Sequence, residues 1–188
     1  MSYILVVIII IQTIFFNQEK EMKQMTKANL EAAFAGESQA SMKYTIYAEK
    51  AEREGFPQVA KLFRAIAFAE KVHATNHLRQ LGKINDTVGN LTDAAAGENY
   101  EVNEMYPAFD AVAKLQDEKG AIKSFHYAIE AEKIHEKMYN QAKDSVAQGK
   151  DIPSNDVYIC PVCGHTLIGE PKEDCPICKL AKGNYIKF

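Results

Sequence analysis

Gly36-Glu37, followed after 33 positions by Glu70-Lys71-Val72-His73, recurs in the second half of the chain as Gly97-Glu98, followed after 34 positions by Glu132-Lys133-Ile134-His135. A glutamate and a histidine three residues apart project from the same side of a helix, so each pair can offer one oxygen and one nitrogen to a metal ion. Two such pairs and two further glutamates can hold two metal ions inside a four-helix bundle. The repeat therefore predicts a mainly α-helical fold built around two metal ions.

Apolar periodicity supports this fold along most of the chain. Spacings of three and four residues predict helices at about 26–54, 57–81, 91–115 and 120–146. We expect Thr26 to cap the first helix and Pro57 to open the second. Residues 83–90 indicate a loop, and Pro107 is expected to cost a backbone hydrogen bond within the third helix.

The four repeated carboxylates are difficult to explain without bound cations. Glu37, Glu70, Glu98 and Glu132 lie on predicted helix faces otherwise occupied by Ala, Phe, Ile and Met. Unpaired carboxylates in an apolar core would be very costly, and metal ions are the obvious compensation. Carboxylate and imidazole ligands suit iron or manganese better than zinc, although ligand type alone selects weakly.

The two halves of the repeat differ at one position. Glu101 lies three residues after Glu98, whereas Ala40 lies three residues after Glu37. Glu101 is thus an additional candidate ligand on one side only. A carboxylate would favour the more oxidised ion, while a neutral imidazole such as that of His73 would suit the reduced ion.

A second metal motif lies near the end of the chain. Cys160-Pro161-Val162-Cys163 and Cys175-Pro176-Ile177-Cys178 contain all four cysteines of the sequence. This clustering favours a local metal site over a disulfide framework. Four thiolates bind iron or zinc, and their spacing does not choose between them. Beside a redox-competent two-metal site, iron acting as a one-electron relay is the better interpretation, with structural zinc as the alternative.

The apolar N-terminal segment and the net charge of the chain bear on whether it binds membranes or nucleic acid. Residues 4–16 are almost wholly apolar, but a helix of this length, rising about 1.5 Å per residue, falls short of the roughly 30 Å hydrocarbon core. We expect translation to start at Met22 or Met25 and the protein to be cytoplasmic, with a short membrane anchor or an added segment as the alternatives. The net charge of −3 gives no electrostatic footprint for nucleic acid.

Three short stretches, together with the order of the two metal motifs, resemble rubrerythrin: residues 35–40, 97–101 and 104–107. The resemblance covers about residues 26–188. It implies a ferritin-like four-helix bundle at 25–148, a linker at 149–156 and a rubredoxin-like module at 157–188, with residues 1–24 as an apolar extension. It also implies a non-haem di-iron peroxidase that reduces hydrogen peroxide to water in oxidative-stress defence.

The resemblance assigns roles to individual residues. It implies di-iron ligands at Glu37, Glu70, His73, Glu98, Glu101, Glu132 and His135. His73 corresponds to the ligand that exchanges with Glu101 as one iron changes its oxidation state. Tyr44 and Tyr106 correspond to tyrosines that hydrogen-bond the ligand carboxylates, as buried hydroxyl groups require. A single iron in an FeS4 site is implied at Cys160, Cys163, Cys175 and Cys178.

Partners follow from the same resemblance. Electrons would come from reduced rubredoxin or an NAD(P)H-dependent reductase. The relay in this family usually works between subunits, which implies a homodimer or a larger assembly. Two alternatives remain open, namely a ferritin-like iron-oxidising or iron-handling protein and a redox sensor or electron carrier without turnover. Storage ferritins lack the cysteine module, which counts against the first alternative.

Overall fold

The computed structural model describes residues 22–188. The predicted extension at residues 1–24 lies outside the described residues except for its last three positions. Among the helices of residues 22–188, none is long and apolar enough to cross a membrane. The chain divides between Ile84 and Asn85 into two compact units, here called unit 1 and unit 2.

Unit 1 is an antiparallel pair of helices, α1 (Gln24–Arg53) and α2 (Pro57–Gln80). The Ser41 hydroxyl donates a 2.8 Å hydrogen bond to the Ala67 carbonyl across the pair. Small side chains allow this close approach, and the buried residues are Ala48, Ala51, Ala60, Ala67 and Ala74.

The ends of these helices test the expected capping residues. Gly55, with a φ of 82°, ends α1 in the left-handed region that favours glycine. Pro57 opens α2 as predicted. The predicted cap at Thr26 is wrong, because α1 begins at Gln24 and the preceding Lys23 makes no capping hydrogen bond through its side chain.

Unit 2 begins with a helix in three parts. Helix α3 (Thr87–Tyr100) passes through a π-helical turn (Glu101–Met105) into α4 (Tyr106–Leu115), and α5 (Lys119–Ala147) follows. The predicted loop at 83–90 is too long, since α3 starts at Thr87. Asp86 caps that helix, accepting a 2.7 Å hydrogen bond from the Gly89 amide.

The π-helical turn explains how the third predicted helix accommodates Pro107. Pro107 lies in the first turn of α4, where its missing amide hydrogen costs little. The disturbance predicted at Pro107 therefore takes the form of a widened turn just before it. Such turns inside α-helices often occur at functional sites, and this one begins at Glu101.

Helices α3 and α4 run antiparallel to α5. The Asn99 side-chain amide donates a 2.8 Å hydrogen bond to Glu136 on α5. Further along, the rings of Tyr106 and Phe125 pack with their centroids 6.0 Å apart. The two contacts bring Glu98 and Glu101 to the side of the pair that faces α5.

The rest of unit 2 is a small sheet with the cysteines at its edge. Its strands are β1 (Val157–Ile159), β2 (Thr166–Ile168) and β3 (Ile186–Lys187), all antiparallel in the order β2-β1-β3. Cys160, Cys163 and Cys175 form its buried core, and Tyr127 of α5 packs against them. The cysteine module therefore rests on a helix of its own chain.

The predicted fold class is confirmed as mainly α-helical with a small C-terminal sheet that carries the cysteine cluster. The predicted helix boundaries at 57–81 and 120–146 agree with the structure to within one residue. Residues 148–156 contain neither helix nor strand, but the domain boundaries themselves stay a prediction.

Candidate metal centres

The first carboxylate–histidine cluster lies in unit 1 and consists of Glu37, Glu70 and His73. One potential ligand atom from each residue lies within 4.8 Å of the others. His73 Nδ1 is 2.9 Å from Glu70 Oε2 and 3.9 Å from Glu37 Oε1. The His73 side chain is 53% exposed and that of Glu70 is 18% exposed, so the cluster combines one sheltered carboxylate with a more accessible imidazole.

The second cluster lies in unit 2 and consists of Glu98, Glu132 and His135, again with ligand atoms within 4.8 Å of one another. His135 Nδ1 is 2.5 Å from Glu132 Oε2. Burial, a hydrogen bond to Glu132 and the Glu132 charge together raise the pKa of Glu98 to about 7. Carboxyl groups this close cannot easily all be ionised unless a cation lies among them.

Glu101 and Tyr106 accompany the second cluster. Burial, followed by the charge of Glu132, raises the pKa of Glu101, while His135 acts in the opposite direction. The pKa of Tyr106 is also raised, by burial and then by the charges of Glu101, Glu132 and Glu98. The structure thus brings these two predicted site residues close to the carboxylates of unit 2.

Tyr44 lies in unit 1, where its ring packs against that of Phe63 with centroids 6.1 Å apart. The hydrogen bonds expected from Tyr44 and Tyr106 to ligand carboxylates stay predictions. So does the exchange of His73 with Glu101.

Thr166 is a site residue that the sequence pattern did not reveal. Its hydroxyl oxygen lies 2.8 Å from Nε2 of His135 and donates a 2.9 Å hydrogen bond to the Gly164 carbonyl. The contact joins strand β2 to α5 across 31 positions, so no local spacing could indicate it. It lies within one chain, and the relay between subunits that the resemblance implies stays a prediction.

The cysteine cluster has the geometry of a metal site. The Sγ atoms of Cys160 and Cys178 are 3.4 Å apart, as are those of Cys163 and Cys175. A disulfide would require about 2.05 Å, and a tetrahedral ion with metal–sulfur distances of about 2.3 Å would give sulfur–sulfur distances of about 3.8 Å. The four predicted cysteines therefore surround one point.

Hydrogen bonds at Cys175 favour the thiolate form of that residue. Burial alone would raise the pKa of Cys175, but hydrogen bonds from the Cys178 backbone and from Tyr185 outweigh it and lower the pKa to about 6. Burial raises the pKa of Cys163. Tyr185 also hydrogen-bonds His165 Nδ1 at 2.9 Å, and it too was missed by the sequence analysis because it is separated from the cysteine motifs along the chain.

The donor groups fit the metals that the motifs predict. In the second cluster the short distance between His135 Nδ1 and Glu132 Oε2 fits two groups that share a proton or bind the same metal ion. Mixed carboxylate and imidazole donors suit iron, and four thiolates suit iron or zinc. A helical protein with two carboxylate–histidine clusters and a terminal tetracysteine module belongs to the class of ferritin-like metalloproteins with a rubredoxin-like module.

The chain belongs to the rubrerythrin family, because the family model described as rubrerythrin matches residues 28–143. It is 42% identical over 179 residues to rubrerythrin-2 of Clostridium acetobutylicum, covering 87% of this chain and 97% of the relative. It is 36% identical to nigerythrin of Nitratidesulfovibrio vulgaris, covering 87% of this chain and 86% of the relative.

Solved structures agree with this assignment. A structure of nigerythrin in a partially reduced state has a TM-score of 0.52 and 32% identity, covering 92% of this chain and 90% of that chain. Its fully reduced, all-ferrous state matches with a TM-score of 0.51 and 30% identity, covering 92% of this chain and 91% of that chain.

The family membership confirms the predicted cofactor class. The rubrerythrin family has a di-iron carboxylate site, and the four-cysteine cluster is consistent with an FeS4 site. Its members are oxidoreductases associated with oxidative-stress defence and peroxidase activity. They generally work with rubredoxin-type electron donors and are often oligomeric.

Proposed function

We propose that this chain is a non-haem di-iron peroxidase that reduces hydrogen peroxide to water in oxidative-stress defence. The observation that supports this proposal best is the direct contact between the cysteine module and the second carboxylate–histidine cluster, through Thr166 and His135. A one-electron centre held against a ligand of a two-metal site is the arrangement that stepwise delivery of electrons requires.

The proposed ligands are the residues of the two clusters together with Glu101. The two iron ions would be held by Glu37, Glu70, His73, Glu98, Glu101, Glu132 and His135. Bound iron supplies the two electrons that break the peroxide O–O bond, and two protons complete the conversion to two water molecules. The chain itself must hold the ions, tolerate a change of charge and position protons.

Glu101 and His73 are the residues we propose for the change of charge. A carboxylate stabilises the more positive, oxidised ion, and a neutral imidazole suits the reduced one. Glu101 begins a π-helical turn, a feature that is frequent at functional sites. His73 is the most exposed member of its cluster, so its side chain has room to move toward or away from an ion.

Tyr106 is the residue we propose for proton positioning in unit 2. Its raised pKa keeps the hydroxyl protonated at neutral pH, so it can donate a hydrogen bond to a neighbouring carboxylate. We propose the corresponding role for Tyr44 in unit 1, where the ring is fixed against Phe63.

The four cysteines would hold the iron that receives electrons from outside. We propose reduced rubredoxin or an NAD(P)H-dependent reductase as the donor and a homodimer or larger assembly as the working form. Exposed apolar side chains on unit 1, including Ile66 at 39% exposure and Phe68 at 66%, support association with a second copy.

The decisive experiment is an anaerobic titration of the reduced, iron-loaded protein with hydrogen peroxide, with iron counted on the same sample. Each peroxide should consume two electrons without release of oxygen, and the visible absorption of the cysteine-bound iron should report oxidation. Consumption no faster than with free ferrous iron, or growth of an iron mineral, would instead support an iron-handling protein.

A further inference from the structure

Tyr185 turns toward the cysteine cluster at the end of the small sheet. It follows a short 3₁₀ turn (Lys182–Asn184) and directly precedes strand β3. Within residues 181–188, Tyr185 is the only residue that is not exposed. Its ring packs against the buried core formed by Cys160, Cys163 and Cys175. The hydroxyl of a tyrosine in such a place is expected to find a hydrogen-bond partner.

The register of the sheet brings His165 to the same place. Strand β1 pairs Ile159 with Thr166 on one side and with Ile186 on the other. His165 and Tyr185 each lie one position before these partners, at the end of the sheet that carries the first cysteine pair. The two rings meet edge to face, with centroids 6.0 Å apart and an angle of 84° between their planes. Nδ1 of His165 is 2.9 Å from the Tyr185 hydroxyl oxygen.

The Tyr185 hydroxyl has a single hydrogen for two neighbours. Besides contacting Nδ1 of His165, it hydrogen-bonds the sulfur of Cys175. A thiolate that binds a metal has no hydrogen and can only accept, and a hydrogen bond to a charged acceptor is stronger than one between neutral groups. The hydrogen of Tyr185 therefore goes to the sulfur. The imidazole in turn donates its Nδ1–H to the tyrosine oxygen.

His165, Tyr185 and Cys175 thus form a chain of two hydrogen bonds that ends on a cysteine sulfur. Hydrogen bonds in such a chain polarise and strengthen one another. The imidazole holds the hydroxyl in the direction of the sulfur, in the way that outer partners orient the ligands of a metal. Cys175 is fully buried, so water does not compete for this bond.

We propose that Tyr185 is a positioning residue that raises the reduction potential of the cysteine-bound iron, with His165 holding its hydroxyl on the Cys175 sulfur. Four thiolates around a ferrous ion carry more uncompensated negative charge than four thiolates around a ferric ion. A hydrogen-bond donor at one sulfur therefore stabilises the ferrous form more, and hydrogen bonds to the sulfurs are one of the known determinants of the potential of such centres. The centre then accepts an electron from an external donor more readily.

The redox change is a simple electron transfer. One electron passes from an external reductant, such as a redox dye, to the iron, which changes from ferric to ferrous. No covalent bond forms or breaks, and the hydroxyl hydrogen stays on Tyr185. The inference concerns only the iron assigned to the cysteines, so it goes beyond the proposed reduction of peroxide and does not depend on it.

Four variants separate the hydroxyl from the ring that carries it. Tyr185→Phe keeps the ring and removes the hydroxyl alone. His165→Phe keeps a ring at that position but donates no hydrogen bond, whereas His165→Asn restores an N–H group close to the position of Nδ1. Tyr158→Phe is the matched control, because Tyr158 lies on β1 of the same sheet and is not among the described side chains that pack against the buried cysteines.

The first measurement is the reduction potential of the cysteine-bound iron in the full chain, titrated against redox dyes and followed by its visible absorption. Tyr185→Phe should shift the equilibrium toward ferric iron by about tenfold, which is a fall of about 59 mV for one electron. His165→Phe should shift it in the same direction by less. His165→Asn and Tyr158→Phe should match wild type. An unchanged potential in Tyr185→Phe, or an equal fall in Tyr158→Phe, would overturn the proposal.

The second measurement uses the wild-type chain loaded with zinc, which four thiolates also bind. The hydroxyl hydrogen of Tyr185 should be visible by nuclear magnetic resonance, exchange slowly with water, and exchange faster in His165→Phe. A hydroxyl that exchanges as freely as one in solvent would overturn the proposal, even if Tyr185→Phe failed to bind iron. A protein that shows both effects but does not consume peroxide would refute the proposed function and leave this inference standing.

Discussion

Nδ1 of His135 and Oε2 of Glu132 lie 2.5 Å apart on successive turns of α5, with the other imidazole nitrogen bonded to Thr166. The equivalent pair in unit 1, His73 and Glu70, is 2.9 Å apart. The repeated motif therefore produces the same local geometry twice, but among residues 22–188 only the imidazole of His135 has a hydrogen-bond partner at its second nitrogen. The half of the site in unit 2 should thus be the more rigid one.

Metal removal provides the first prediction. Chelation should lower the midpoint of thermal unfolding, because ions that bind only the folded state stabilise it by about 2.7 kcal/mol at a free concentration one hundred times the dissociation constant. Differential scanning calorimetry on loaded and chelated samples would measure this. In the variant Glu132→Gln the difference should shrink markedly, while Glu130→Gln, on the same helix but outside the cluster, should behave as wild type.

Equal calorimetric differences in the Glu132→Gln and Glu130→Gln variants would contradict the ligand assignment. The comparison is informative because both residues lie on α5 and differ by only two positions. Glu130 instead forms an ion pair with Lys133, so its replacement removes a surface contact worth at most about 1 kcal/mol.

The role of Glu101 gives the second prediction. Glu101→Ala should retain both iron ions of the carboxylate site, because the other ligands remain, yet lose at least about tenfold in peroxidase turnover, since even loss of an outer partner of a metal ligand costs that much. Iron analysis and steady-state peroxide consumption on one preparation would measure both quantities. Glu104→Ala is the control, because Glu104 is an exposed glutamate of the same π-helical turn. Turnover equal to that of the control would remove Glu101 from the mechanism.

The metal-binding residues could be predicted from the sequence more readily than the residues that surround them. The spacing of Glu70 and His73 determines their proximity because a helix brings residues three apart together, and the cysteine pairs are similarly local. The hydrogen bond between His135 and Thr166 depends on how the sheet packs against α5, which no periodicity encodes. The π-helical turn at Glu101 was likewise missed, although Pro107 correctly indicated that the helix would be disturbed nearby.

The start of helix α3 at Thr87 could not be predicted from helix propensity alone. Gly89 and Asn90 have low helix propensity and suggested a loop, but the Asp86 cap outweighs them by satisfying the Gly89 amide. A capping residue followed by small polar residues can therefore be mistaken for a turn when propensity is considered alone. The error moved a boundary by four residues and left the position of Glu98 on its helix unchanged.

The cysteine module yields the third prediction. Cys160→Ala should abolish the visible absorption of the cysteine-bound iron, because the remaining three thiolates cannot complete the tetrahedral site. The carboxylate-held iron should remain, and external electrons should reach it poorly. Metal analysis with visible spectroscopy would separate the two sites. Val162→Ala, which changes an exposed residue between the cysteines, should leave the absorption intact; loss of absorption there as well would show only that the turn is fragile.

The last prediction concerns the association of two copies of this chain through unit 1. Ile66 lies one helical turn before Glu70 and is 39% exposed, so its side chain is available for contact with a second copy of the chain. If a second copy does so, Ile66→Asp would place an unpaired charge in an apolar contact, at a cost of several kcal/mol. Multi-angle light scattering after size exclusion should then show a lower mass than for wild type. Gln58→Asp introduces the same charge at an exposed position in the first turn of α2 and should leave the mass unchanged. An unaltered mass in Ile66→Asp would show that this face takes no part in assembly.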